Sequence, residues 1–174
     1  MSLVPLHVIH LGQDDPKKCT ARKLGSQGLA RGHNKADSAP RRGYLLDPNS
    51  TVIMGPEDRE LIELGASLVV LDCSWKKIHE SINFIEGKTN LESRILPILL
   101  PANPVSWGKA GRLSSVEALA ASLSILGHNE QALSILQPFN FGEQFLELNK
   151  EPLEAYSNAI SRDHVSELQL EFFG

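Results

Sequence analysis

Residues Ser67–Asp72 read Ser-Leu-Val-Val-Leu-Asp, an apolar run without polar alternation. A strand of this composition is buried on both faces, as a central strand of a parallel sheet is. It places the chain in the α/β class. A second run, Ile95–Leu100, has the same character and reads as another buried strand. It ends in the Pro- and Gly-rich loop Pro-Ala-Asn-Pro-Val-Ser-Trp-Gly-Lys-Ala-Gly-Arg, and a helix then opens at Ser114 or Ser115. Ser114 and Glu117 have the spacing of a capping box. Val116, Leu119, Ala120, Leu123 and Leu126 follow at helical spacing. Strand, loop and capped helix start together form a seat for a carboxylate or phosphate, because backbone N–H groups and the helix dipole point at it. The same pattern also serves as an ordinary strand-to-helix connection.

The remaining elements follow from local signals. Leu6 to Leu11 reads as a first strand. Asp15-Pro16 starts a short basic helix over Lys17 to Leu24. Gly25 to Gly43 has no periodicity and reads as a mobile loop, of a length that is usually functional. Tyr44 to Leu46 and Thr51 to Met54 are short strands about an Asp47-Pro48-Asn49 turn, and Pro56 to Leu64 is a helix stopped by Gly65. Ser74 to Ile82 is a helix with Ser74 as N-cap. From Ser114 onward only helices are expected: 115–126, 129–136 capped by Asn129, one or two within 141–160, and one from about 163 to 172. The chain divides near residue 110 into an α/β part and an all-α part.

Charge divides the chain differently. Residues 1–43 carry eight basic side chains against three acidic ones, a net of +5, while the remainder carries nine against eighteen, a net of −9. The basic third, with Lys17, Lys18, Arg22, Lys23, Arg31, Arg41 and Arg42, suggests a face for a polyanion such as RNA. Charges scattered over a solvated surface would give the same count.

Cys19 and Cys73 are too few and too far apart for a metal cluster, and they read as reduced thiols of a cytoplasmic protein. The six histidines show no metal-ligand spacing, so no metal is expected. Pro5, His7 and His10 interrupt the N-terminal apolar stretch, which therefore does not read as a signal peptide. No run is long enough to span a bilayer. There is no Gly-rich phosphate loop and no nucleophile elbow. Asp72-Cys-Ser-Trp75 does stand where a buried strand hands over to a helix, and ligands of open α/β sheets bind beyond such strand ends. Asp72 suits a base and Trp75 a ring-stacking group; a helix cap and a core aromatic are the plainer roles for the same residues.

Five segments together are similar to one family. They are Asp15-Pro-Lys-Lys-Cys-Thr-Ala-Arg-Lys-Leu24, Leu46-Asp-Pro48, Leu71-Asp-Cys-Ser-Trp75, Leu99–Leu126, and Phe141-Gly-Glu-Gln-Phe-Leu-Glu-Leu-Asn149. In this order they resemble the small-subunit rRNA aminocarboxypropyltransferases, enzymes of ribosome biogenesis. The family's Tyr before Gly is Trp107 here. The acidic tail of eukaryotic members is missing, so the chain looks like the compact archaeal form.

The resemblance implies a SPOUT-like knotted N-terminal α/β domain over residues 1–110, an all-α C-terminal domain over 111–174, and a cofactor site between them. The implied cofactor is S-adenosylmethionine, and the implied partner is small-subunit rRNA or a pre-ribosomal particle. Neither a membrane nor a metal is implied. Thr20 and the helix start at Ser114 and Ser115 would hold the cofactor carboxylate. Leu46, Pro48 and Trp75 would pack on the adenine and methionyl end, and the backbone near Leu71 would meet the ribose. Leu100, Trp107 and Leu113 would close the adenine slot, with Asp72 as the base for the uracil N3 proton. The implied reaction moves the 3-amino-3-carboxypropyl group to a (methyl)pseudouridine. A SPOUT-type RNA methyltransferase and a non-catalytic assembly factor that binds pre-rRNA are the competing readings.

Overall fold

The computed structural model describes residues 3–10, 20–35, 38–72 and 89–174, the side chain of Asp72 excepted. Its strands are β1 (Leu6–His10), β2 (Arg31–His33), β3 (Gly43–Leu46), β4 (Ser67–Asp72) and β5 (Glu92–Arg94). They form one sheet in the order β2-β1-β4-β3-β5, every pair parallel. The apolar strand β4 lies at the centre, in register from Leu6↔Leu68 to His10↔Asp72 on one side and from Gly43↔Ser67 to Leu45↔Val69 on the other. Leu68 and Val69 are fully buried, as a strand covered on both faces requires. Gly43 opens β3 at φ +154°, where a Cβ would run into the backbone carbonyl of Ser67. Glycine is the residue that admits this approach.

The helices are α1 (Thr20–Ser26), α2 (Arg59–Glu63) after a 3₁₀ turn at Pro56–Asp58, α3 (Ser115–Ile125), α4 (Asn129–Leu136), α5 (Gly142–Leu148), α6 (Lys150–Ser157) and α7 (Arg162–Phe173). Strand β1 begins at Leu6 as expected and runs to His10, Leu11 lying outside the described residues, and α3, α4 and α7 lie where helical spacing put them. The 141–160 stretch resolves into two helices, α5 and α6. The N-cap position of α4 is His128 rather than Asn129.

Several local expectations need correction. The segment Gly25–Gly43 contains β2, whose three residues Arg-Gly-His are too few to show a period. Thr51–Met54 contributes a single bridge, Ile53↔Ile95, and no strand. The fifth strand is Glu92–Arg94, and Ile95–Leu100 runs beyond it as non-repetitive chain. That run is apolar because it is partly buried; Ile95 keeps its backbone bridge to Ile53, and beyond it Ile98 and Leu100 find side-chain partners instead of a sheet neighbour. The expected helix Ser74–Ile82 lies outside the described residues.

The fold class is corrected as well. The structure is α/β with a five-stranded, all-parallel sheet and helices, and the described residues show neither a SPOUT-like knot nor a separate all-α domain. One hydrophobic cluster joins Leu6 and Leu68 of the sheet to Leu119, Phe145, Tyr156 and Val165 of the helices. Polar ties cross the same junction. The buried Gln131 side chain accepts from Val4 N–H and donates to Val4 C=O. Tyr156 Oη donates to Ile98 C=O at 2.9 Å, and burial pushes its phenol pKa upward. Arg162 and Arg94 both reach the buried Asp58 carboxylate, fastening α7 to the 3₁₀ turn and β5.

Candidate functional site

The parallel sheet puts the carboxyl ends of β3, β4 and β5 at one edge, and the long connection to α3 leaves from that edge, the position where parallel sheets bind ligands. The connection is held by one buried carboxylate. Glu117 is fully buried in the first turn of α3. Its Oε2 accepts from the N–H groups of Ala102 at 2.6 Å and Asn103 at 3.2 Å. Its Oε1 accepts from Asn103 Nδ2 at 2.5 Å, Ser114 N–H at 2.9 Å and Ser114 Oγ at 2.8 Å. Ser114 Oγ in turn accepts from Glu117 N–H at 3.4 Å, which completes the capping box. Neutral donors surround the charge, and the amino end of the helix dipole favours it.

Two further ties shape the loop. Gly111 N–H donates to Leu99 C=O at 2.8 Å, closing the segment on itself. Asn149, fully buried at the junction of α5 and α6, accepts from Leu100 N–H and donates to Leu100 C=O, both at 2.8 Å. Its side chain thus pairs with Leu100 as a strand neighbour would.

Thr20 meets this construction from the opposite end of the chain. Its Oγ1 accepts from Val116 N–H, in the first turn of α3, at 3.2 Å. The structure therefore brings together Thr20, Ser114 and Ser115. Leu46, Leu71 and Leu113 are buried, whereas Pro48 and Leu100 are half-buried. Trp107 lies out on the loop with 54% of its surface exposed. The Asp72 side chain and all of Trp75, Lys17 and Lys18 lie outside the described residues.

Of the basic candidates, Arg22, Lys23, Arg31, Arg41 and Arg42 are all exposed. Two also have structural work. Lys23 Nζ donates to Pro138 C=O at 2.5 Å and lies 4.9 Å from the Phe139 ring centre. Arg42 Nη2 donates to Leu64 C=O.

Sequence reasoning missed Asp47, Asn103 and Asn149. Asp47 follows β3 and is 2% exposed; its Oδ1 accepts from Asn49 N–H at 2.7 Å. Its Oδ2 is buried without a hydrogen-bond partner among the described residues. A buried carboxylate oxygen of this kind is costly unless something donates to it. The Leu46-Asp-Pro48 turn was the available signal. Nothing local marks Asn149, whose partner is 49 residues away. An open groove of about 650 Å³ lies at the opposite, amino ends of β1 and β2, lined by Leu6, Arg31 and Gln131 among others, away from this chemistry.

The class defined so far is an α/β protein whose candidate site lies beyond the carboxyl ends of a parallel sheet. Comparison with known proteins carries the assignment further. Residues 44–173 match the family described as "Ribosome biogenesis protein, C-terminal". The 16S rRNA aminocarboxypropyltransferase of Methanosarcina mazei is 43% identical over 97% of this chain and 95% of its own length. That of Halobacterium salinarum is 41% identical over 94% and 93%. The solved structure of the SAM-dependent rRNA:acp-transferase Tsr3 from Vulcanisaeta distributa superimposes with a TM-score of 0.81 at 32% identity, covering 97% of this chain and 98% of that one. The chain belongs to the 16S rRNA aminocarboxypropyltransferase family. Residues 4–37 also match a possible Fer4-like domain of RNase L inhibitor. That stretch contains one cysteine, Cys19, against the four thiolates of a ferredoxin-type cluster.

Proposed function

We propose that this chain transfers the 3-amino-3-carboxypropyl group of S-adenosylmethionine to a (methyl)pseudouridine of small-subunit rRNA during ribosome biogenesis. The observation that carries the reading is its 43% identity, over 97% of its length, to a 16S rRNA aminocarboxypropyltransferase. The geometry supports it. Thr20 is joined to the first turn of α3, so its hydroxyl proton lies beside the amino end of that helix, where the dipole favours a carboxylate. On the resemblance, Leu46, Pro48, Trp75, Leu100 and Leu113 would wall the adenosyl pocket, with the backbone near Leu71 at the ribose. The Oδ2 of Asp47, which has no partner among the described residues, follows Leu46 and suits a ligand that carries hydrogen-bond donors.

When bound, S-adenosylmethionine supplies a sulfonium, an electrophile with three activated carbons. The protein's task is to choose among those carbons by position, since the one held at near-attack distance reacts. In this reading Asp72, at the end of the central strand, takes the N3 proton of the uracil as N3 bonds to the aminocarboxypropyl carbon. The carbon–sulfur bond breaks with its electron pair leaving on sulfur, so charge and atoms balance. We assign the exposed Arg22, Arg31 and Arg41, together with Lys17, Lys18, Lys23 and Arg42, to the rRNA phosphates. We also place the enzyme in the cytoplasm, on the reading of its two distant cysteines as reduced thiols.

Mass spectrometry of nucleosides from rRNA incubated with enzyme and S-adenosylmethionine tests the activity. A gain of the aminocarboxypropyl group is expected. A gain of methyl, or no gain, overturns the assignment.

A further inference from the structure

The loop that Glu117 holds buries Ala102, Asn103 and Ser106 and turns other side chains outward. Val105 is 63% exposed and Trp107 54%, and Lys109 and Arg112 are exposed with them. The loop is nonetheless well tied. Ser106 N–H donates to Asn103 Oδ1 at 3.0 Å, Lys109 N–H to Ser106 C=O at 3.0 Å, and Arg112 N–H to Lys109 C=O at 3.1 Å. Gly108 and Gly111, both at φ +80°, make the reversals. A single exposed aromatic needs no explanation on its own. Its setting is what points to a partner. Residues 95–116 carry Lys109 and Arg112 and no acid, within a 44–174 segment whose net charge is −9.

We propose that this loop is a stacking platform for an unpaired RNA base: the Trp107 indole takes the base, and Lys109 and Arg112 take the flanking phosphates. The proposal rests on the rRNA substrate of the reading above and adds a contact to it. Every base offers a π-face, and aromatic side chains flanked by cations bind single strands by stacking. Sequence-specific RNA enzymes reach their targets in loops where bases are unstacked. A pre-formed loop loses little freedom on binding. A protein partner fits less well, since lysine is depleted at the cores of protein interfaces.

The test uses the full chain without S-adenosylmethionine and two labelled RNAs: a hairpin bearing the unpaired target loop, and a fully paired duplex of equal length. Trp107→Ala should weaken hairpin binding about tenfold or more. Trp107→Phe should retain most of the affinity, and duplex binding should not change. Lys109→Ala with Arg112→Ala should flatten the salt dependence of hairpin binding. Wild-type hairpin affinity in Trp107→Ala, or an equal loss on the duplex, overturns the platform. So does a loss that appears only when S-adenosylmethionine is present, since the indole would then act through the cofactor. If the wild-type enzyme adds no aminocarboxypropyl group while the loop-specific loss persists, the activity assignment fails and the platform stands.

Discussion

Thr20 Oγ1 accepts a hydrogen bond from Val116 N–H at 3.2 Å, across 96 residues of chain. It ties the first helix to the opening turn of α3, so a basic segment and the site loop share one anchor. Thr20→Val leaves the Val116 N–H without its acceptor and should cost about 1 kcal/mol of stability. On the proposed function it should also weaken S-adenosylmethionine binding about tenfold, which is the size of one such contact. Thr20→Ser should preserve both. Urea denaturation and calorimetry with the cofactor separate the two effects.

Glu117 should be the most sensitive position of the loop. Glu117→Ala strands the donors of Ala102, Asn103 and Ser114 in a buried place, and roughly 2–3 kcal/mol should be lost. Glu117→Gln keeps the volume but turns an N–H₂ group toward N–H donors, so it should also destabilise. Equilibrium unfolding of both variants checks this; wild-type stability in Glu117→Gln would show that the charge is dispensable.

Asn149→Ala should cost about 2 kcal/mol, because it removes both hydrogen bonds to Leu100 and one to Phe145 C=O. Hydrogen exchange gives a local readout. The Leu100 amide should exchange faster in the variant, whereas amides of β4 should slow or speed only with global stability.

His7 and His33 stack with ring centres 5.1 Å apart and share a 2.8 Å N···N hydrogen bond. Burial, then the neighbouring His33 and Arg31, lowers the His7 pKa to about 4 from the usual 6.5. Between those values the unfolded chain binds the proton and the folded one does not. Stability from this source is complete above pH 6.5 and is lost as pH falls toward 4. Thermal melts from pH 7 to 4 should show a shallower decline in His7→Gln than in the wild type.

Asp72→Asn preserves size and capping ability while removing the base. On the proposed chemistry it should lower turnover on the order of 10²–10⁴-fold with cofactor affinity unchanged. Near-normal turnover in a folded variant would make Asp72 a structural residue.

Much of this was legible before any coordinates. The central position of β4 followed from its unbroken apolar composition, and the start of α3 from Ser114 and Glu117 at capping-box spacing. Both signals are local, carried by residues within a few positions of one another. Strand β2 was illegible because three residues show no period. The apolar run 95–100 misled for a related reason: burial alone does not distinguish a strand from a chain segment that Asn149 holds in place. The resemblance located the family correctly but implied a knotted domain and a separate helical one, and the described residues show neither.

What the sequence by itself determined is the α/β class, the centre of the sheet and the capped helix behind the site loop, because composition, period and cap chemistry act over short spans. Only the tertiary structure decided that Thr20 meets Val116, that Asn149 pairs with Leu100, and that sheet and helices share one core. These contacts join segments from about 50 to about 100 residues apart. Their free energy depends on whole elements packing together, and no local pattern encodes it.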